Sequence, residues 1–216
     1  MRVEEDRQAS VGVCHVRGQP KIIFGGIIEL RRLQAQQLRR LPVRKPFSDE
    51  VVLSFSMKIG VLSDTHAAGA SDIPTEVFEA FRDVELILHA GDIIELAVID
   101  GLEELAPVRA VYGNMDPPAT REALPDKTII QAEGKRIGLI HGSGGPLGIH
   151  NRVRAKFDDV DMIVFGHSHR PINETVDGVL MFNPGSPTDL HFAPYRSFGI
   201  ISIEGDEILA TIVPLD

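Results

Sequence analysis

The chain has 216 residues, 43% of them hydrophobic and 25% charged, which suits one folded domain and excludes collagen-like, low-complexity or wholly disordered chains. No apolar run approaches the roughly 18 residues needed to span a bilayer, so no membrane segment is expected. A single cysteine, Cys14, excludes an intrachain disulfide framework and points to a reducing, cytoplasmic setting.

The net charge of −9 is unevenly shared. Residues 1–56 hold ten Lys or Arg against six Asp or Glu, whereas residues 57–216 hold twelve against twenty-five. The acidic part gains nothing from phosphate-backbone attraction, so long nucleic acid is not the expected partner; a divalent cation is. Residues 1–56 show little period, and the basic stretch Arg31–Arg40 has no matching apolar stripe. They read as an N-terminal extension, disordered or the product of a start site placed too far upstream. The domain is expected from Met57 to the end.

Strand and helix then alternate. Lys58–Ser63 reads as a buried parallel strand. Pro74 opens a helix to Arg82 with Val77, Phe78 and Phe81 on one face. Val84–His89 is a second strand, Ile94–Leu105 a helix ended before Pro107, and Val108–Tyr112 a third strand. Thr128–Ala132 and Arg136–His141 form two strands joined across Glu133-Gly134-Lys135. A helix over 147–157 and a strand at Val160–Phe165 follow. Asp177-Gly178 signals a hairpin turn, and Ser197–Ile203 pairs with Glu207–Pro214. The front half reads as βαβ and the back half as β-rich, which predicts two packed sheets with helices outside.

The polar residues fall at the ends of these strands. Asp64 and His66 follow the first, Asp92 the second and Asn114 the third; His141 closes a later strand, and His167 and His169 follow another. A sheet delivers such residues to a shared rim. Glycines beside Asp92, Asn114, His141 and His167 are expected to let the backbone turn inward. Asp64-x-His66 and His167-x-His169 are each expected to present both side chains on one side of an extended segment. Imidazole with carboxylate suits Mn, Fe, Zn or Ni, and one carboxylate can bridge two cations; seven ligand-type residues are enough for a pair. His89, inside a strand, reads as a hydrogen-bonded core histidine. His15, His150 and His191 carry no assigned role. Gly142-Ser143-Gly144-Gly145 lacks the Gly-Lys-Ser/Thr ending of a P-loop and reads as a loop near the metals.

The ordered motifs Asp64-Thr65-His66, Gly91-Asp92, Gly113-Asn114, His141-Gly142 and Gly166-His167-Ser168-His169, with the loop Asn183-Pro184-Gly185-Ser186, closely resemble the calcineurin-like metallophosphoesterase superfamily, in its small bacterial and archaeal phosphodiesterase branch. The resemblance covers residues 57–216. It implies a four-layer αββα double β-sandwich and two divalent ions, Mn favoured, with Ni, Fe, Zn or Mg as alternatives. One ion would be held by Asp64, His66, Asp92 and His169, the other by Asp92, Asn114, His141 and His167. Asp92 would bridge them, Asp92 and Asn114 would serve catalysis, and Asn114 and Ser186 would contact substrate. The implied activity is phosphodiesterase or phosphatase, with a metal-bridging hydroxide attacking a small phosphate ester.

One position departs from the pattern. Where many superfamily members carry histidine after Gly-Asn, and this branch commonly cysteine, the chain has Met115, which has no proton to give a leaving group. A preference for good leaving groups such as aryl esters follows. The alternative function is a scaffold of the same fold, as in the retromer subunit that resembles it but departs from the ligand pattern. Self-association as a homo-oligomer is left open.

Overall fold

The computed structural model describes residues 13–16, 19–22 and 56–216. In the N-terminal unit, β1 (Val13–Val16) pairs antiparallel with β2 (Gln19–Ile22). Apart from Ser56, which opens the first strand of the larger unit, the rest of the expected N-terminal extension, Arg31–Arg40 included, lies outside the described residues.

The larger unit is built from two five-stranded sheets. The first contains β3 (Ser56–Leu62), β4 (Leu86–His89), β5 (Val108–Ala110), β11 (Ser197–Glu204) and β12 (Glu207–Pro214), in the order β12-β11-β3-β4-β5. The second contains β6 (Lys127–Ala132), β7 (Lys135–Ile140), β8 (Met162–Val164), β9 (Ile172–Val176) and β10 (Val179–Asn183), in the order β6-β7-β8-β10-β9. Side chains alternate faces along a strand, and here both faces are apolar. Ile59, Val61, Leu86 and Leu88 of the first sheet share one buried cluster with Ile137, Leu139, Met162 and Val164 of the second, which fixes the two sheets face to face.

The opposite faces carry helices. Leu62, Ile87 and Val108 pack with Phe81, Val98 and Leu102, around the helices Thr75–Ala80 and Ala97–Glu103. Ile163 and Met181 pack with Ile149 and Val153 of the helix Ile149–Arg154. Three apolar clusters thus separate four layers, the αββα double β-sandwich expected from the sequence.

Some elements differ from expectation for local reasons. The helix expected from Ile94 begins at Ala97, because Ile94 adopts a left-handed φ of 78°. The helix expected over 147–157 is confined to Ile149–Arg154; Gly148, at φ 73°, sets its start. A short helix at Pro118–Ala123 was not anticipated, although Pro at a first helical position is one of the better helix-start signals. The Asp177-Gly178 turn is as expected: both residues are left-handed, and Val176 pairs with Val179 across them.

Direction is what matters for the site. β3, β4 and β5 run parallel to one another, and β7 runs parallel to β8. Segments leaving the C-terminal ends of these five strands carry Asp64, His66, Asp92, Asn114, His141, His167 and His169.

Candidate metal centre

The structure brings the seven expected ligand residues together. His66 Nε2 lies 3.3 Å from His169 Nε2, and His169 Nε2 lies 3.5 Å from Asp64 Oδ1. On the other side, His141 Nε2 lies 3.1 Å from Asn114 Oδ1, which in turn lies 2.7 Å from His167 Nδ1. Asp92 stands between: its Oδ2 is 3.7 Å from His66 Nε2 and 3.3 Å from His141 Nε2. Among the described residues, Asp64 with His66 and His169, and Asp64 with Asp92 and His141, form two groups whose ligand atoms lie within 4.8 Å of one another.

The backbone that delivers these side chains is unusual. Asp64, His66, Asp92, His167 and His169 all have positive φ, between 45° and 70°. Both Asp-x-His and His-x-His therefore depart from the extended geometry expected of them; their side chains reach the centre through left-handed turns. Such conformations cost of order 1 kcal/mol or more each and persist where surroundings over-determine them.

Asp116, which sequence reasoning overlooked, supplies much of that determination. Its buried carboxylate accepts N–H bonds from Asp92 (3.1 Å), Ile93 (2.8 Å), Ile94 (2.6 Å) and Gly113 (2.7 Å). The loop after β4 and the loop after β5 are thereby tied to one anion. Close approach explains two of the glycines better than turning does, since neither Gly113 nor Gly166 has positive φ. A Cβ on Gly113 would sit 2.1 Å from Asp92 Oδ1, and one on Gly166 would sit 1.8 Å from Ser63 Oγ.

Three histidines have one ring nitrogen committed to donation. His141 Nδ1–H donates to the Ala90 carbonyl at 2.8 Å, His167 Nε2–H donates to the Gly144 carbonyl at 2.6 Å, and His169 Nδ1–H donates to the Asp189 carboxylate. In the neutral ring the other nitrogen is then a bare acceptor, and in each case it faces the centre. There it meets oxygens that also only accept: Asn114 Oδ1, Asp92 Oδ2 and Asp64 Oδ1. With the rings neutral, acceptors crowded within hydrogen-bond range fit a divalent cation, which binds there in competition with protons.

Without a cation, the same crowding shifts the titrating groups. Burial pushes the Asp64 carboxyl above its ordinary range, with the His141 and His169 charges opposing. Burial also disfavours charge at Asp92, but the bond and charge of His141 and the Met115 N–H outweigh it and hold that carboxyl low. At His141 burial is outweighed by Asp92 and Asp64, so the ring sits above its usual value. His89 is the core histidine expected: burial first, then the neighbouring His141 charge, drives it down to about 3. Its Nδ1 accepts the Gly91 N–H at 3.2 Å, and its Nε2 contacts Thr65 Oγ1 at 3.1 Å.

Two further residues depart from sequence reasoning. Ser186, expected at the substrate, is fully buried beneath the loop, where its hydroxyl donates to the Asp64 carbonyl at 2.7 Å. Asp189, which sequence reasoning passed over, holds His169 and also accepts the N–H groups of His191 (2.7 Å), Phe192 (3.1 Å) and Ala193 (3.1 Å). Burial disfavours charge at Asp189, but these bonds together hold its carboxyl down at about 2. An acid three residues after Ser186 in a turn-rich stretch was the only signal available.

Above the cluster opens a cavity of about 660 Å³, lined in part by Asn114, Met115, His167, Arg170 and Phe192. Its size is that of a small-molecule site.

This fold, with imidazoles and carboxylates gathered at its strand ends, defines the metallophosphoesterase class. The chain belongs to the calcineurin-like phosphoesterase superfamily: the family's domain model matches residues 57–206. A probable metallophosphoesterase of Methanothermobacter thermautotrophicus is 41% identical over 160 residues, covering 73% of this chain and 92% of that one. Among solved structures, an archaeal phosphodiesterase aligns with a TM-score of 0.60 at 28% identity, covering 73% of this chain and all of that one. Vacuolar protein sorting 29 from Cryptosporidium parvum aligns at 0.62 with 21% identity, over 75% of this chain and 93% of its own, a likeness of fold.

Proposed function

We propose that the chain is a dinuclear metal-dependent phosphodiesterase or phosphatase of the cytoplasm, acting on a small phosphate ester with manganese as the favoured ion. The observation that carries this reading is the convergence of imidazole nitrogens from two sides on Asp92 Oδ2, His66 at 3.7 Å and His141 at 3.3 Å. One ion falls to Asp64, His66, Asp92 and His169, the other to Asp92, Asn114, His141 and His167. Two such ions, when bound, turn water into a nucleophile at neutral pH and screen charge on the phosphoryl oxygens.

The chain's own residues set the terms of that chemistry. Asp92 serves both sites with one carboxylate, while Met115 N–H donates to its other oxygen at 2.7 Å and fixes its orientation. Asn114, between His141 and His167, stands where an entering phosphoryl group meets the cluster. Asp189 keeps His169 Nδ1 protonated, so that Nε2 remains available. Met115 stands at the cavity mouth without a proton to donate, so departure of the leaving group rests on its own stability.

The second reading, a non-catalytic interaction module, is favoured by Met115 alone. Titrating the purified chain with manganese against a panel of phosphomonoesters and phosphodiesters decides between them. Turnover of bis(para-nitrophenyl) phosphate that saturates near two ions per chain supports the enzyme; a chain that binds two ions and hydrolyses none of the panel is the scaffold.

A further inference from the structure

The cavity above the cluster is polar at its floor and apolar around much of its side. Met115 and Phe192 both line it, yet they remain 59% and 76% exposed, and Pro146 adds further apolar surface. Single exposed apolar side chains are ordinary, but three grouped around one concave site make a surface for the apolar part of a ligand. Phe192 is also held in place. Its ring stands edge-on to His169, with centroids 6.1 Å apart at 90°, and its backbone N–H donates to the carboxylate that binds His169. The loop carrying Phe192 and the ligand His169 are therefore fixed by the same residue, Asp189.

Charge narrows the occupant. Arg170 is the one Lys or Arg among the residues lining the cavity, so beyond the metal cluster it offers little for a second phosphate charge. A phosphodiester carries one negative charge and two organic substituents. One leaves with its oxygen; the other stays on phosphorus and must rest on the protein.

We propose that Met115 and Phe192 form the subsite for the retained substituent, and that this subsite selects phosphodiesters bearing a flat apolar group, an aryl ester or a nucleoside base, over those bearing a small alkyl group. This rests on the phosphodiesterase reading and deepens it. It is separate from the leaving-group preference that Met115 imposes by lacking a proton, because the group concerned does not leave.

Ligands with no ester bond test it without chemistry. Diphenylphosphinate and dimethylphosphinate have the same charge and the same phosphinyl oxygens, and differ only in apolar surface. Calorimetry on the manganese-loaded full chain is expected to show diphenylphosphinate binding about tenfold tighter or more. Met115→Ala and Phe192→Ala should each cut that preference several-fold, while Leu209→Ala, equally exposed but outside the cavity, should leave it intact. In steady state, phenyl para-nitrophenyl phosphate should show a lower KM than methyl para-nitrophenyl phosphate, with the gap closing in the same two variants. Equal affinity for the two phosphinates, or a preference untouched by both cavity variants, overturns the proposal. Failure of the enzyme reading is seen separately, as absence of bis(para-nitrophenyl) phosphate turnover by the same loaded sample.

Discussion

His167 Nδ1 and Asn114 Oδ1 lie 2.7 Å apart, and His167 Nε2–H donates to the Gly144 carbonyl, so that in the neutral ring an acceptor faces an acceptor. The pairing makes chemical sense if both atoms would hold one cation. The hydrogen bonds on the far sides of these candidate ligands thus support the metal reading, as do the residue types.

Replacing Asp92 tests the shared oxygen. Asp92→Asn should retain the fold, since the backbone bonds to Asp116 remain, but should lower bound manganese below two per chain. Turnover should fall by at least about a thousandfold, as expected when a single group serves both ions. Metal analysis after gel filtration and initial rates on the same sample check both; a variant that keeps two ions and its rate refutes the bridge.

Asp189 is expected to act through His169. With Asp189→Ala the ring loses the partner that fixes its tautomer, and manganese affinity should weaken about 10–100-fold, the range seen for such partners. Asp189→Asn should recover part of the loss, because its carbonyl oxygen can still accept from Nδ1–H. Metal titration of the three proteins is the measurement, and equal affinity in all of them removes the role.

Met115→His should restore a proton donor at the cavity mouth. The native chain is expected to show a steep fall in rate as the leaving-group pKa rises, and the variant a shallower one. A series of substituted phenyl phosphodiesters gives both slopes. Identical slopes would mean that position 115 has no part in leaving-group departure.

His89 ties stability to pH. Its folded value is about 3, below the ordinary 6.5, so the unfolded chain binds a proton that the folded chain does not throughout the interval between them. The neutral form's advantage is therefore complete above about 6.5 and is lost as pH falls towards 3, at roughly 1.4 kcal/mol per pH unit from this group. Denaturant unfolding of native chain and His89→Gln across that interval should show a shallower dependence in the variant. Parallel curves would contradict it.

Gly113→Ala would force a methyl group to within 2.1 Å of Asp92 Oδ1. Because that oxygen is fixed by Met115 N–H, relief must come from moving the loop, and we expect about 1–3 kcal/mol of destabilisation together with loss of bound metal. Thermal unfolding and metal content measure it.

Much of this centre was legible because its chemistry is local to strand ends. Asp64, Asp92, Asn114, His141 and His167 each follow an apolar run, and parallel strands place such positions on one rim whatever the details of the turns. The fold was legible for the same reason, since apolar runs such as Ile59–Leu62 and Met162–Phe165 leave both faces of each sheet needing cover. What escaped depends on distant partners. Asp116 is identified chiefly by the N–H groups of Asp92, Ile93 and Ile94, more than twenty residues away in sequence, and Asp189 by a histidine twenty residues back. Ser186 looked accessible in a polar loop, yet it is covered once that loop folds under Asp64. The left-handed backbone at five ligand residues is likewise set by the cage around them, and none of the five is glycine.

Ile94 shares that backbone without sharing the duty. It is a β-branched residue at φ 78°, it makes no ligand contact, and its N–H and carbonyl are bound by Asp116 and Thr120 through main-chain atoms that any residue possesses. Exchange for glycine or asparagine would release conformational tension of order 1 kcal/mol at the site's border while leaving every ligand in place. Either exchange gives up the half-buried side chain and glycine also frees the unfolded chain, so asparagine is the change by which this turn would harden the protein against heat.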